Sequence, residues 1–330
     1  MTPRQIMMHK VYGYFTTSCL SVVCKLELAD HIGNSICSIE ELADLTRCNE
    51  NSLYRMMHFL SSQDIFVEED NRKFRNNSLS EVLKKTSESS INSYCQGHGS
   101  QLYWESWRNL EHSIRTGEPA TKSAFGVDAF EYMKSDPETA STFNKTMDDL
   151  ATADANVIQK YYDFSKFNTV ADIGGGSGKL LSFIINDNPK IKGILFDQPH
   201  VVQNTFSPNI TNQFEVVAGD FLSDIPVISD LYILRHILHD WDDERCHQIL
   251  SLLRERMPKH AKLLVIELLV NKDSTLSTAK YQDLNMLVMM NGGRERSIQQ
   301  FENMGIKAGF KLCQVIPLPT EMNIIEFQPI

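Results

Sequence analysis

The second half of the chain alternates short apolar runs with stretches whose apolar residues recur at helical spacing. The apolar runs cover residues 169–173, 191–197, 214–221, 230–235 and 261–267. Strands that alternate with helices in this way predict a doubly wound, mostly parallel α/β sheet. Two further runs at 311–316 and 322–327 are separated by Pro-Leu-Pro-Thr-Glu and predict a C-terminal antiparallel hairpin.

The first half of the chain has a different, mainly helical pattern. Residues 5–30 are apolar around more than one face, which predicts a helix buried against its own domain or a partner subunit. Ser38-Ile-Glu-Glu41 is a capping box and Asn49 a second N-cap, so two short helices follow. Residues 65–67 and 73–75 flank a polar turn and predict a hairpin. Together these elements form the pattern of a winged helix.

Charge decides between two interpretations of this winged helix. A DNA-binding helix brings positive charge to phosphates, but residues 38–60 hold four acidic and two basic side chains. The whole chain carries a formal net charge of −10. We therefore expect a structural or dimerisation role, with no nucleic-acid partner and no membrane partner.

Length and cysteine usage narrow the class of protein. The chain has 330 residues, which favours two domains. Its seven cysteines include no C-x-x-C pair, so we expect reduced thiols, no metal site and no disulfide framework. We find no run of 18 apolar residues and no signal-peptide pattern, and expect a cytoplasmic protein.

A glycine-rich turn stands at the centre of the candidate chemistry. The segment Thr169-Val-Ala-Asp-Ile-Gly-Gly-Gly-Ser-Gly178 predicts a strand, a tight turn and a following helix. The phosphate-binding pattern G-x-x-x-x-G-K-[ST] fails, because its first glycine would be Ile173 and its last residue Leu180. The dinucleotide pattern G-x-G-x-x-G fails because its third glycine is missing. A turn without either pattern suits a phosphate-free ligand such as the ribose and methionine parts of S-adenosylmethionine.

Acidic residues follow the next two predicted strands. Asp197 lies 23 residues after Gly174, near the spacing at which a carboxylate holds ribose hydroxyls. Asp220 and Phe221 follow the third strand, where a carboxylate could accept from an adenine amino group and a ring could cover the purine. Each acid alone could be a strand-end cap and Phe221 a core residue. Two acids at successive strand ends after a glycine turn favour a ligand, because open α/β sheets bind ligands there.

A candidate base follows the fourth strand. His239 titrates near neutrality, and Glu267 and Glu295 are expected on neighbouring loops, where they could hold its orientation. His236 is the alternative base. Side-chain alternation in an extended segment would place it on the face opposite His239.

These motifs together resemble one family over roughly the whole chain, the S-adenosylmethionine-dependent O-methyltransferases of the caffeate and acetylserotonin type. The resemblance is carried by Val170-Ala-Asp-Ile-Gly-Gly-Gly-Ser-Gly178, Phe196-Asp-Gln-Pro199, Gly219-Asp-Phe221, His239-Asp-Trp-Asp-Asp243 and Gly292-Gly-Arg-Glu295. It implies a Rossmann-like methyltransferase domain at 161–330, a helical connector at 91–160 that contributes to the substrate pocket, and a winged-helix dimerisation domain at 1–90. It also implies a homodimer.

The resemblance further assigns roles to individual residues. The cofactor S-adenosylmethionine would be held by Gly174, Gly176, Asp197, Asp220, Phe221 and Arg235, the last of which is often lysine in the plant enzymes. His239 would be the base, flanked by Glu267 and Glu295, and the substrate a small, phenolic hydroxyl compound. With ordinary pKa values of about 10 for a phenol and about 6.5 for histidine, deprotonation should accompany attack on the methyl group.

Three other interpretations compete with this one. An enzyme of the same fold could methylate nitrogen or carbon, or hydroxylate, although an intact His239, Glu267 and Glu295 disfavours this. A winged-helix regulator could bind DNA with the cofactor as effector, which the acidic helices disfavour. An NAD-linked reductase is disfavoured by the missing third glycine.

Overall fold

The computed structural model describes residues 1–205 and 214–330 of the chain. These residues form two compact units. The first comprises Met1–Trp104 and Asp136–Ala153, and the second comprises Glu105–Ser135 and Asp154–Ile330. Within the described ranges, no helix has both the length and the apolar composition that crossing a bilayer requires. The domain boundaries expected near residues 90 and 160 stay a prediction.

The described helices and strands are numbered separately in chain order. The helices are α1 (Pro3–Val11), α2 (Gly13–Lys25), α3 (Leu28–Ile32), α4 (Ile39–Thr46), α5 (Glu50–Ser61), α6 (Ser78–Glu81), α7 (Asn92–His98), α8 (Gln101–Arg108), α9 (Leu110–Thr116), α10 (Ala120–Phe125), α11 (Ala129–Ser135), α12 (Pro137–Tyr161), α13 (Lys179–Asp187), α14 (Pro199–Thr205), α15 (Asp243–Arg256), α16 (Thr278–Met289) and α17 (Ile298–Lys307). The strands are β1 (Cys37–Ser38), β2 (Val67–Glu69), β3 (Lys73–Arg75), β4 (Thr169–Ile173), β5 (Lys192–Asp197), β6 (Phe214–Ala218), β7 (Leu231–Arg235), β8 (Lys262–Leu268), β9 (Phe310–Pro317) and β10 (Met322–Pro329).

The first unit contains the predicted helices and hairpin. The Ser38 hydroxyl accepts from the backbone N–H of Glu41 at 3.2 Å, and the Ser38 N–H donates to the Glu41 carboxylate at 2.8 Å, which confirms the capping box. The antiparallel pair β2–β3 confirms the hairpin, and β1 adds a third strand in the order β1-β3-β2. The core beneath this sheet holds Phe66 and Phe74, which are at most 1% exposed.

The N-terminal segment differs from its prediction in how its helix is divided. The helix expected over residues 5–30 is divided into α1, α2 and α3, and the last break falls at Glu27, whose φ of +53° interrupts the helical path. The described residues do not cover the apolar side chains of α1 and the start of α2, so the expected cover by a partner subunit stays a prediction. Ile6, Met7, Val11, Tyr12, Tyr14 and Phe15 are each at least 41% exposed. A patch of this kind marks an interaction surface.

The second unit is built on a seven-stranded sheet in the order β6-β5-β4-β7-β8-β10-β9. The five strands from β6 to β8 are parallel, and β10 pairs antiparallel with both β8 and β9. A separate apolar core covers each face of the sheet. The predicted doubly wound sheet and the C-terminal hairpin are therefore both confirmed.

Strand register sets where the functional side chains meet. Ile173 at the end of β4 lies opposite Phe196, and Arg235 at the end of β7 lies opposite Ile266. The central strands are buried on both faces, so their side chains are mostly apolar, and their charged residues lie at the first position or among the last two positions of a strand. The carboxyl ends of β4 to β8 therefore form one polar edge.

Candidate active site

The turn after β4 makes a backbone cradle. Gly174 and Gly176 have φ of +72° and +58°, in the region that favours glycine. A Cβ at Gly174 would lie 2.5 Å from the Ile237 side chain, so this position is closed to larger residues. A Cβ built at Gly176 would meet no described atom within 4 Å, so this part of the turn borders open space that a ligand can approach.

Asp197 at the end of β5 closes this cradle. Its Oδ2 accepts from the Gly176 N–H at 2.8 Å, and its Oδ1 accepts from the Gln198 N–H at 2.6 Å. Burial raises the pKa of the Asp197 carboxyl, and these two hydrogen bonds act in the opposite direction. The carboxylate thus joins the end of β5 to the glycine turn after β4, and the ribose contact expected from the sequence stays a prediction.

The loop after β6 brings an aromatic ring to the same turn. The ring of Phe221 would come 3.4 Å from a Cβ at Gly174, and it meets Trp241 edge-on at 6.0 Å between ring centroids. Asp220 is exposed, and its Oδ1 accepts from the Leu222 N–H at 2.9 Å. The structure therefore brings Gly174 and Phe221 together, with Asp220 on the adjoining loop.

Arg235 is paired with an acidic residue that sequence analysis did not identify. Both Nε and Nη2 of Arg235 donate to Oδ2 of Asp154 in α12, at 2.9 and 2.6 Å. The two side chains are 9% and 8% exposed. An isolated aspartate on a long helix gives no sequence signal, because only the fold shows what it faces.

The predicted base is held by one of the predicted carboxylates. His239 lies in a 3₁₀ turn, Leu238–Asp240, directly after β7. Its Nδ1 is 2.8 Å from Oε1 of Glu295, and both residues are buried. A carboxylate accepts, so the proton of the neutral ring sits on Nδ1 and leaves Nε2 with its lone pair. Asp240 Oδ1 lies 3.4 Å from this Nε2.

Glu267 supports the turn that carries the base. Its Oε1 accepts from the backbone N–H groups of Ile237 and Leu238, both at 3.0 Å. Its Oε2 lies 3.7 Å from His239 Nδ1 and, like Oε2 of Glu295, is buried without a hydrogen-bond partner among the described residues. The structure thus brings His239, Glu267 and Glu295 into one cluster.

Arg296 is a further support that sequence analysis missed. It is fully buried, and its guanidinium donates to the Leu238 and Trp241 carbonyls, each at 2.7 Å, on the two sides of the His239 turn. Asp243 balances its charge, with Oδ1 at 2.9 Å from Nη2. Its position directly after Glu295, the last residue of the quoted Gly-Gly-Arg-Glu motif, was the available signal.

The expected position of His236 is wrong. Its ring lies 5.1 Å from the His239 ring, on the same side of the chain. The prediction assumed an extended segment, but His236 has a φ of +53° and the 3₁₀ turn follows directly, so side-chain alternation does not apply. Its Nδ1 lies 3.9 Å from Oε2 of Glu267, which is beyond hydrogen-bond distance.

Electrostatics separates the two histidines. Burial and the positive charges of Arg235 and His239 lower the pKa of His236 well below its ordinary value. Burial alone would also lower the pKa of His239, but Glu267, Asp240 and Glu295 raise it to about 10. The ordinary histidine pKa used in the sequence analysis is therefore too low for His239.

This cluster also contains the donor types of a metal site. His236, His239 and Glu267 each offer one atom within 4.8 Å of the others. The Nδ1 of His239 is already engaged by Glu295 at 2.8 Å. We therefore treat the cluster as an acid–base site and assign no metal to it.

Comparison with known proteins found matches over most of the chain. Residues 8–86 match the O-methyltransferase dimerisation domain, and residues 107–311 match the O-methyltransferase domain. Phenazine O-methyltransferase PhzM of Lysobacter antibioticus is 35% identical over 98% of this chain and 96% of its own. O-demethylpuromycin-O-methyltransferase of Streptomyces alboniger is 33% identical over 97% of this chain and 88% of its own.

Solved structures agree with the sequence relatives. The crystal structure of LaPhzM matches with a TM-score of 0.92 and 35% identity over 100% of both chains. The SAH-bound form of CalO1, a methyltransferase in calicheamicin biosynthesis, matches with a TM-score of 0.87 and 26% identity, again over 100% of both chains. The chain belongs to the family of S-adenosylmethionine-dependent O-methyltransferases.

Proposed function

We propose that this enzyme methylates a hydroxyl group of a small aromatic molecule and that His239 is the general base. The observation that carries the proposal is the 2.8 Å contact between His239 Nδ1 and Glu295, which directs Nε2 away from the carboxylate as the proton acceptor. Glu267 holds the backbone of the same turn and so positions the base. When bound, S-adenosylmethionine supplies an electrophilic methyl group on its sulfonium sulfur.

The cofactor assignment rests on the cradle after β4. We propose that Gly174 and Gly176 admit the cofactor's close approach, that Asp197 accepts from its ribose hydroxyls, and that Asp220 and Phe221 hold its adenine. The open space at Gly176 supports this, because a side chain there would fill it. Arg235 is the sixth contact, placed at the end of the neighbouring strand β7.

The charge of the His239 cluster fits proton transfer from a phenol. A phenol has a pKa of about 10, and the three carboxylates raise the pKa of His239 to about 10. The free-energy change for proton transfer from the phenol to His239 is then close to zero. Without the cofactor, little of the His239 ring is neutral at pH 7. The sulfonium of bound S-adenosylmethionine would raise the neutral fraction of His239, because like charges disfavour the imidazolium.

Aromatic side chains near the base support an aromatic substrate. Trp241 follows His239 by two residues. The centroids of the Phe130 and Trp241 rings are 6.4 Å apart, with an angle of 21° between the two ring planes. Trp107 donates to Oδ1 of Asn285 at 3.2 Å, so another amphipathic ring belongs to the same unit. The relatives named for phenazine and for 3-amino-4-hydroxybenzoate support the same class.

We expect methyl transfer to phenols and none to aliphatic alcohols of similar size. The reason is that a phenol releases its proton to a histidine far more readily than an alkanol does. The measurement follows a labelled methyl group from S-adenosylmethionine to a panel that includes 3-amino-4-hydroxybenzoate, a hydroxyphenazine, the matching anilines and cyclohexanols. Transfer confined to the anilines or the cyclohexanols would contradict the proposal.

Replacement of Glu295 should move the pH profile of the enzyme. In Glu295→Gln one negative charge beside His239 is lost and a neutral amide oxygen replaces the carboxylate as the acceptor, so the pKa of His239 falls. The neutral base then appears at lower pH, and the rising limb of kcat/KM against pH should shift to lower pH by about one unit or more. Glu255→Gln on the exposed face of α15 is the matched control. An unmoved limb in Glu295→Gln would exclude His239 as the titrating base.

We infer that the enzyme is a homodimer. The matched dimerisation domain and the uncovered apolar side chains of α1 and α2 support this. Contiguous apolar surface of this kind is stabilised when a second copy covers it.

A further inference from the structure

The Arg235–Asp154 ion pair lies where we propose that a cationic cofactor binds. S-adenosylmethionine carries a sulfonium cation, and a guanidinium at the end of β7 would repel it. In this protein the guanidinium has a buried partner, because Nε and Nη2 both donate to one oxygen of Asp154. At 9% and 8% exposure, water does little to screen either charge.

We propose that Asp154 is a positioning residue that holds Arg235 in place and cancels its charge, so that the site accepts a cationic cofactor. The inference rests on the proposed contact between Arg235 and the cofactor. It goes beyond that contact, because it assigns to a residue of α12 the discrimination between the charged cofactor and its uncharged demethylated product.

The other groups near Arg235 do not replace Asp154. Asp172 in β4 interacts electrostatically with Arg235, but burial raises its pKa to about 7, so it is only partly charged at neutral pH. His236 Nε2 lies 3.9 Å from the same Asp154 oxygen, and burial keeps this ring neutral. Asp154 is therefore the group that balances the guanidinium at neutral pH.

The test compares the affinities of two ligands that differ by one methyl group and one positive charge. Calorimetry gives Kd for S-adenosylmethionine and for S-adenosylhomocysteine. The ratio used here is the Kd of S-adenosylmethionine divided by that of S-adenosylhomocysteine, and it reports the charge of the site. In Asp154→Asn the guanidinium is unbalanced, so the ratio should rise about tenfold. In Arg235→Gln the carboxylate is unbalanced, so the ratio should fall. The double variant should return to the wild-type ratio.

Two further variants separate charge from folding. Asp154→Glu keeps the charge and should keep the ratio, whereas Glu326→Gln removes a carboxylate that lies 3.1 Å from Lys262 and should also keep it. Glu326 pairs in register with Leu264, in the first half of β8 and away from the polar edge. If Asp154→Asn does not fold, the fall predicted for Arg235→Gln alone still tests the charge balance.

The outcomes distinguish this inference from the proposed function. Charge cancellation by Asp154 is wrong if two results are found together. The first is that Asp154→Asn changes the Kd of both ligands by the same factor or leaves both unchanged. The second is that the Kd ratio does not fall in Arg235→Gln. If Arg235→Gln leaves the Kd for S-adenosylhomocysteine unchanged, the proposed cofactor contact of Arg235 is wrong. A rise in Asp154→Asn, a fall in Arg235→Gln and a return in the double variant would establish the inference.

Discussion

His239→Gln should lower kcat by about 100- to 10,000-fold, the range that a general base contributes to an enzymatic rate. In the neutral ring of His239, Nε2 carries the lone pair, because Nδ1 is bound to Glu295. Glutamine offers no comparable base. The affinity for S-adenosylhomocysteine should stay within about threefold, because His239 is not among the proposed cofactor contacts, which lie at the ends of β4, β5 and β6 and at Arg235 of β7. Single-turnover methyl transfer and calorimetry measure the two quantities separately.

Two control variants make this result specific. His247→Gln changes an exposed histidine of α15 and should have no effect on either quantity. His236→Gln should have a smaller effect on kcat than His239→Gln, because no carboxylate among the described residues lies within hydrogen-bond distance of His236. If His236→Gln costs as much as His239→Gln, the choice between the two histidines fails. Normal turnover in His239→Gln would contradict the general-base mechanism.

Most of the fold could be predicted because short stretches of sequence identify its strands and helix starts. The parallel strands are continuous apolar runs bounded by polar residues, and the capping box at Ser38 identifies a helix start from four letters. The break at Glu27 could not be predicted, because the sequence pattern continues through it and only the φ of +53° ends the helix. An apolar pattern shows that a segment is covered, but not what covers it.

The candidate site was predictable where it follows strand ends and not where it depends on loop conformation. Asp197 could be placed because it ends a strand whose register fixes its position. His236 could not, because its position depends on one backbone angle and on the turn after it. Asp154 gave no signal and Arg296 a weak one, because a charged residue in a sequence does not show whether it becomes buried or what it faces. The raised pKa of His239 follows from the same packing.

Asp197→Ala should raise the Kd of S-adenosylhomocysteine by about 100-fold or more. A carboxylate that accepts from two ribose hydroxyls makes two charge-assisted hydrogen bonds of about 1.5–3 kcal/mol each. Its loss also frees the Gly176 N–H, so the cradle itself becomes less ordered. Burial raises the pKa of Asp197, so in the wild type the affinity should fall on acidification, at a higher pH than for an exposed aspartate.

The structural part of this effect can be separated from the binding part. Asp197→Asn keeps one carbonyl acceptor for the backbone but loses the charge, so it should fold like the wild type and still bind weakly. Asp224→Ala on the exposed loop after β6 is the matched control. The Tm of the ligand-free variants measures the effect of each substitution on stability, and the rise in Tm on adding ligand measures binding. A normal Kd in Asp197→Asn would show that the charge is not used for the ribose, and would leave Asp197 as a support of the glycine turn only.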